Sequence, residues 1–126
     1  MATPHGRIKL TWIDNILQLE GFGPFNEEGI VIALEDIQSK ILHRPDSKKV
    51  WQRLDMLNYE TIGSPKVMRV IGHSYLWSFS HGCNAIATVY SNVIQKAMLL
   101  DFKSETNTNM GLFEQKEDAL EWLAAQ

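Results

Sequence analysis

KKVWQRLDMLNYETIGS, residues 48–64, decides how the rest of the chain is read. Val50 to Leu57 reads as a strand. Val50, Leu54 and Met56 fall on one face, and Trp51 and Leu57 on the other. Apolar groups on both faces suggest an inner strand covered from two sides, as in a parallel sheet. Arg53 and Asp55 share the Trp51 face and are placed to pair as i and i+2 neighbours. A polar loop follows. Ser64-Pro65 then opens a helix, with a hydroxyl cap and proline at the first helical position. A loop between a strand's C-terminal end and a helix N-terminus is where function tends to sit.

Upstream, Met1–Gly6 reads as a loose leader. Arg7 to Trp12 alternates apolar and polar residues, the mark of a half-buried strand. Asp14-Asn15 turns the chain, and Ile16 to Glu20 forms the second arm of an antiparallel hairpin. Asn26 caps a helix with two acids in its first turn. Ile30, Ala33, Leu34, Ile37 and Ile41 follow at helical spacing. Arg44-Pro45-Asp46 stops it.

Downstream, the helix after Pro65 turns Val67, Val70, Ile71, Ser74, Trp77 and Ser78 to one side and ends near His81-Gly82. Ala85 to Tyr90 is a short buried strand. Ser91 or Asn92 caps a third helix, with Val93, Ala97 and Leu100 expected inward. Lys103 to Asn109 is polar and reads as loop. Met110 to Phe113 is a last strand. Lys116 to Ala125 is an amphipathic helix, with Ala119, Leu120 and Leu123 inward and Trp122 flanking. The expected fold is α/β, in the order β-β-α-β-α-β-α-β-α. A hairpin followed by alternation implies a mixed, mostly parallel sheet with helices packed on it.

A length of 126 residues suggests one domain, residues 1–126. A formal charge of −3 gives no excess of positive charge to grip nucleic acid. No stretch approaches the roughly 20 apolar residues of a membrane helix, and the N-terminus does not read as a signal peptide. The single cysteine, Cys83, fits a reducing cytoplasm.

The C-terminal run GLFEQKEDALEWL, through Phe113, Ala119, Trp122 and Leu123, together with the order of elements, resembles the STAS fold. The likeness is to small bacterial SpoIIAA-like proteins, the anti-sigma-factor-antagonist group. That resemblance implies a protein-binding regulator. It also implies a serine, at the start of the second helix, that a partner kinase phosphorylates. The equivalent junction here is Thr61-Ile62-Gly63-Ser64-Pro65. The aspartate that precedes the family's serine is absent, and proline follows. The group is similar in fold to lipid-carrying SEC14-type domains, which implies a second option, an apolar pocket.

Each chemical feature has a plainer reading. Ser64 works as an N-cap whether or not it is modified. His73 and His81 lie eight residues apart on one helix, about two turns, and cannot share a metal. Cys83 beside His81 lacks the ligands of a zinc site and has no acid nearby in sequence to complete a triad. Arg53, Asp55 and Glu60 read as a solvated loop with one ion pair. Gly21-x-Gly23 lacks the rest of a phosphate loop. Tyr59, Tyr75, Trp77 and Phe79 gather in or around the second helix and point in different directions, so at least one leaves the core face.

These features point to a non-enzymatic interaction module without metal or cofactor, acting on a protein partner. The expected surface is Asn58, Tyr59, Glu60, Thr61, Ser64, Lys66 and Arg69. A homodimer through the helix aromatics is consistent with it. The alternative is a carrier of a small apolar ligand, held near Trp51, Leu57, Tyr75 and Trp77. A hydrolase built on Cys83 or Ser64 has no visible base.

Overall fold

The computed structural model describes residues 3–61 and 63–126. Met1 and Ala2 of the expected leader, and Ile62 of the junction, lie outside the described residues. Among the described residues, five strands and four α-helices follow the expected order: β1 (Arg7–Ile13), β2 (Ile16–Phe22), α1 (Glu27–Leu42), β3 (Trp51–Leu57), α2 (Pro65–Phe79), β4 (Cys83–Val89), α3 (Val93–Thr106), β5 (Met110–Phe113) and α4 (Lys116–Ala124). The strands lie side by side as β1-β2-β3-β4-β5. The first pair is antiparallel and the rest are parallel. Asp14 turns the hairpin with φ at 52°, a left-handed value that aspartate tolerates.

The two faces of the sheet are covered unequally. One carries Leu17, Leu19, Trp51, Ile86 and Met110, packed with residues of α1, α2 and α3. The other carries Leu54, Ala85 and Ala87 under Ala119 and Leu123 of α4. Residue alternation in β3 serves both faces, as its apolar pattern requires. Val50 is the exception. It lies before the strand and is 60% exposed.

The helix starts follow local chemistry. Asn26 Oδ1 accepts from the Gly29 N–H at 2.9 Å, and Ser64 Oγ accepts from the Val67 N–H at 3.2 Å. Asn92 Oδ1 accepts from the Gln95 N–H at 2.8 Å. Each satisfies an N–H that a helix start leaves free.

Two expectations about α3 need correction. The run Lys103–Thr106 continues the helix, which ends at Asn107 in the left-handed conformation, φ 50°. Its polar residues are helix surface, not loop. The inward face is also different: Gln95 and Leu99 are buried, whereas Val93, Ala97 and Leu100 are exposed. Gln95 goes inward because three hydrogen bonds receive its amide.

Candidate functional site

The parallel strands end together at one edge of the sheet, and the loop after β3 lies across that edge. Asn58 starts the loop by donating its N–H to Gly21 O at 3.3 Å. Its Oδ1 accepts from the Glu60 N–H at 3.1 Å, an Asx turn. The Thr61 hydroxyl lies 2.8 Å from Gly21 O and 2.6 Å from Asn58 Oδ1. This close approach needs glycine at position 21, where a Cβ would stand 2.9 Å from Thr61 Cγ2.

Three residues of the β4–α3 turn and α3 clamp the same loop. Gln95 Nε2 donates to Asn58 O at 2.8 Å and to Thr61 O at 3.0 Å, while its Oε1 accepts from the Ser91 N–H at 2.7 Å. Ser91 Oγ donates to Leu57 O at 2.6 Å, and Asn92 Nδ2 donates to Tyr59 O at 2.9 Å. The N–H groups of Asn58, Glu60 and Thr61 and the carbonyls of Leu57, Asn58, Tyr59 and Thr61 are thus all hydrogen-bonded. Tyr59 nonetheless stands 72% exposed on this braced segment. Val93 and Ile94, just after Asn92, are exposed too.

The structure brings Asn58, Tyr59, Glu60 and Thr61 onto this one loop. Ser64 stands exposed at the start of α2, and Lys66 and Arg69 follow in the first turns of the helix. Lys66 Nζ lies 3.3 Å from Glu27 Oε2, an exposed pair that contributes little to stability. Sequence reasoning missed Ser91 and Gln95 as parts of the site. The available signal was Gln95 three residues after the Asn92 cap, a polar residue on the face that a helix turns inward.

Arg53 and Asp55 lie beneath α2 and are buried, not solvated as expected. The guanidinium donates from Nε to Asp55 Oδ1 at 2.7 Å and from Nη2 to Oδ2 at 2.9 Å. Nη2 also donates to Ser74 Oγ at 3.2 Å. Nη1 donates to Ser74 O at 3.2 Å and Ser78 Oγ at 3.0 Å. All five N–H groups of a guanidinium are thus used. Its charge is held by Asp55 against a burial cost that favours the neutral form, and the balance raises its pKa. Glu60 has no part in this network and is exposed.

No protein-family model matches the chain, and no curated protein sequence matches it. Solved structures do. An anti-sigma factor antagonist from Mycobacterium paratuberculosis superposes with a TM-score of 0.66 at 9% identity, over 95% of each chain. An uncharacterised DUF3478-family protein from Shewanella loihica PV-4, described as having a SpoIIAA-like fold, superposes with the same TM-score, 0.66. Its identity is 16%, over 98% of this chain and 97% of its own. The chain has a SpoIIAA-like fold.

Within this SpoIIAA-like fold the four residues expected to frame an apolar pocket do not meet in one cavity. Leu57 and Tyr75 line a space of about 40 Å³ between the sheet, α1 and α2. Trp51 packs edge-on against Trp12, with its Nε1 donating to His81 O at 2.8 Å. Trp77 stacks on the His81 ring, centroids 3.8 Å apart. The aromatic residues of α2 do not make an exposed dimer surface either. Tyr75 is buried, and Trp77 and Phe79 are half-buried against the core.

Cys83 is buried, and its thiol donates to Ala85 O at 3.3 Å. Burial pushes the thiol up to about 12, so it is not a thiolate at neutral pH. His81 Nδ1 is 2.8 Å from Trp77 O, which makes that nitrogen the protonated one in the neutral ring. Among the described residues, no group of His, Cys, Asp and Glu could hold a metal ion, and no helix is long and apolar enough to cross a membrane.

Proposed function

We propose that this chain is a non-enzymatic regulatory module that works by binding another protein in the cytoplasm. The binding surface is the loop Asn58–Thr61, with Ser64, Lys66 and Arg69 at the start of α2. One observation carries the reading: Tyr59 is 72% exposed on a loop whose backbone Gln95, Ser91 and Asn92 hold in place. An exposed aromatic on a rigid support suits a binding hot spot, because little entropy remains to be lost on contact. The antagonist with a similar structure supports a regulatory role. Gly63 stands where an aspartate precedes the serine in the anti-sigma antagonists, so binding in this reading does not depend on phosphorylation of Ser64.

The carrier alternative has less support. Ligand pockets ordinarily offer roughly 300–1,000 Å³, against about 40 Å³ in the space that Leu57 and Tyr75 line, and Trp51 and Trp77 do not reach it.

The test is capture from host lysate on immobilised wild-type protein and on Tyr59→Ala and Glu60→Lys variants. Both residues are exposed, so each variant should keep its stability within about 0.5 kcal/mol. A protein retained by the wild type and lost from both variants supports the reading. Identical capture by all three, or a small molecule carried by the native wild type, removes it.

A further inference from the structure

α2 and α3 leave a groove of about 580 Å³ between them. Gly72, Leu99 and Phe102 form its floor, and Met68, Leu76 and Met98 its apolar walls. Its rims differ in character, with a cation at Arg69 on one side and carboxylates at Asp101 and Glu105 on the other. Arg69 and His73 stand on the α2 side, and Asp101 and Glu105 on the α3 side. All four are exposed. Among the described residues, Arg69, Asp101 and Glu105 form no ion pair.

We propose that this groove is the contact face of a homodimer. The two-fold axis runs along the groove and lays α2 of one copy over α3 of the other.

The charge pattern selects that axis. α2 and α3 both return from parallel strands, so they run in the same direction. An axis along the groove exchanges the two helices and sets the basic rim on the acidic one. An in-plane axis across the groove would lay α2 on α2 and set like charges together. An isologous contact needs a self-complementary patch, and only the first arrangement supplies it.

The register agrees. The floor is pinned where Phe102 crosses Gly72: a Cβ there would lie 2.9 Å from Phe102 Cε2. Taking that crossing as common height, Arg69 lies three residues before it and Asp101 one before. His73 lies one residue after it and Glu105 three after. Both cross-axis pairs are therefore offset by two residues in the same sense. At a helical rise of about 1.5 Å per residue this is about 3 Å, within reach of such side chains. Met68 and Met98 add flexible apolar surface that can repack between copies.

This inference does not rest on the partner-binding role, and its test is separate. The full chain is weighed by sedimentation equilibrium, alone and as charge variants. Wild type should weigh twice the 14.4 kDa of one chain. Arg69→Glu and Asp101→Arg should each fall to a single chain with unchanged circular dichroism. Mixed in equal amounts, the two variants should recover the double mass. The glutamate of Arg69→Glu then faces the arginine of Asp101→Arg, the native Arg69 and Asp101 face each other, and both His73–Glu105 contacts are kept. A wild type that stays at one chain mass, a double mass that neither variant disturbs, or a mixture that stays at one chain mass would overturn the proposal.

Discussion

Arg53 and Asp55 point the same way from one strand, and the guanidinium of the first closes on both oxygens of the second at 2.7 and 2.9 Å. Their side chains are 1% and 2% exposed. The pair joins β3 to the middle of α2 through Ser74 and Ser78. Removing one partner leaves an uncompensated buried charge, which costs about 3–5 kcal/mol. Arg53→Met should therefore lower the urea midpoint sharply. Arg53→Met combined with Asp55→Leu should recover much of that loss. Equal loss in the single and double variants would mean that the serine contacts, not the charge, dominate.

Tyr75 should behave in the opposite way. Its hydroxyl and that of Thr88 are buried without a hydrogen bond in good geometry, although Thr88 and Asp55 lie close to the phenol. The Tyr75 ring packs edge-on against Phe102 and under the Arg53 guanidinium, 4.7 Å from its centroid. Phenylalanine keeps those contacts and deletes an unsatisfied group. Tyr75→Phe should change unfolding free energy by less than about 1 kcal/mol in urea titration.

Alkaline pH should weaken the fold. Burial raises the Tyr75 phenol, with the Asp55 charge adding to it, and burial raises the Cys83 thiol from 9.0 to about 12. Between those two values the unfolded chain has lost the thiol proton and the folded chain still holds it. The folded state binds more protons there, so stability falls as pH rises. Below the unfolded value this contribution is fully present. Urea midpoints measured from neutral pH into that window should decline, and Cys83→Ala should flatten part of the slope. The native thiol should also resist alkylation at neutral pH and react on unfolding.

Gln95→Ala should loosen the loop more than it harms the core. It removes three hydrogen bonds, from Gln95 Nε2 to Asn58 O and Thr61 O and from the Ser91 N–H to Oε1. Asn58 O keeps the Thr61 N–H, whereas the buried Thr61 O and the Ser91 N–H lose these partners, at about 1–3 kcal/mol in all. Amide exchange should quicken at Tyr59 and Glu60 while β3 and β4 stay protected. Uniform quickening across the sheet would make Gln95 a core residue and not a brace.

The parts of the fold legible in the sequence are those ruled by local chemistry. The period of two in β3 placed Arg53 beside Asp55, and Asn26 and Ser64-Pro65 marked helix starts correctly. The hidden parts depend on distant partners. Gln95 is buried because carbonyls of another loop receive it, and hydropathy alone turns Val93 inward instead. Lys103–Thr106 has loop composition, yet a helix already under way accepts polar residues on its wet side. Trp51 and Trp77 are both aromatic and near in sequence to the expected pocket, but His81 takes one as a donor and the other as a stacking partner.

The strands stand in the sheet in the order in which they occur in the chain. Each strand joins the one before it, and none has to wait for a remote segment to arrive. Only the hairpin closes a short loop, but each parallel pairing spans a single helical crossover and none skips a strand, which keeps the entropic barrier to folding low for a mixed α/β topology. The molecule can thus grow from its hairpin by successive addition of strand and helix, and its refolding should be quick for its class.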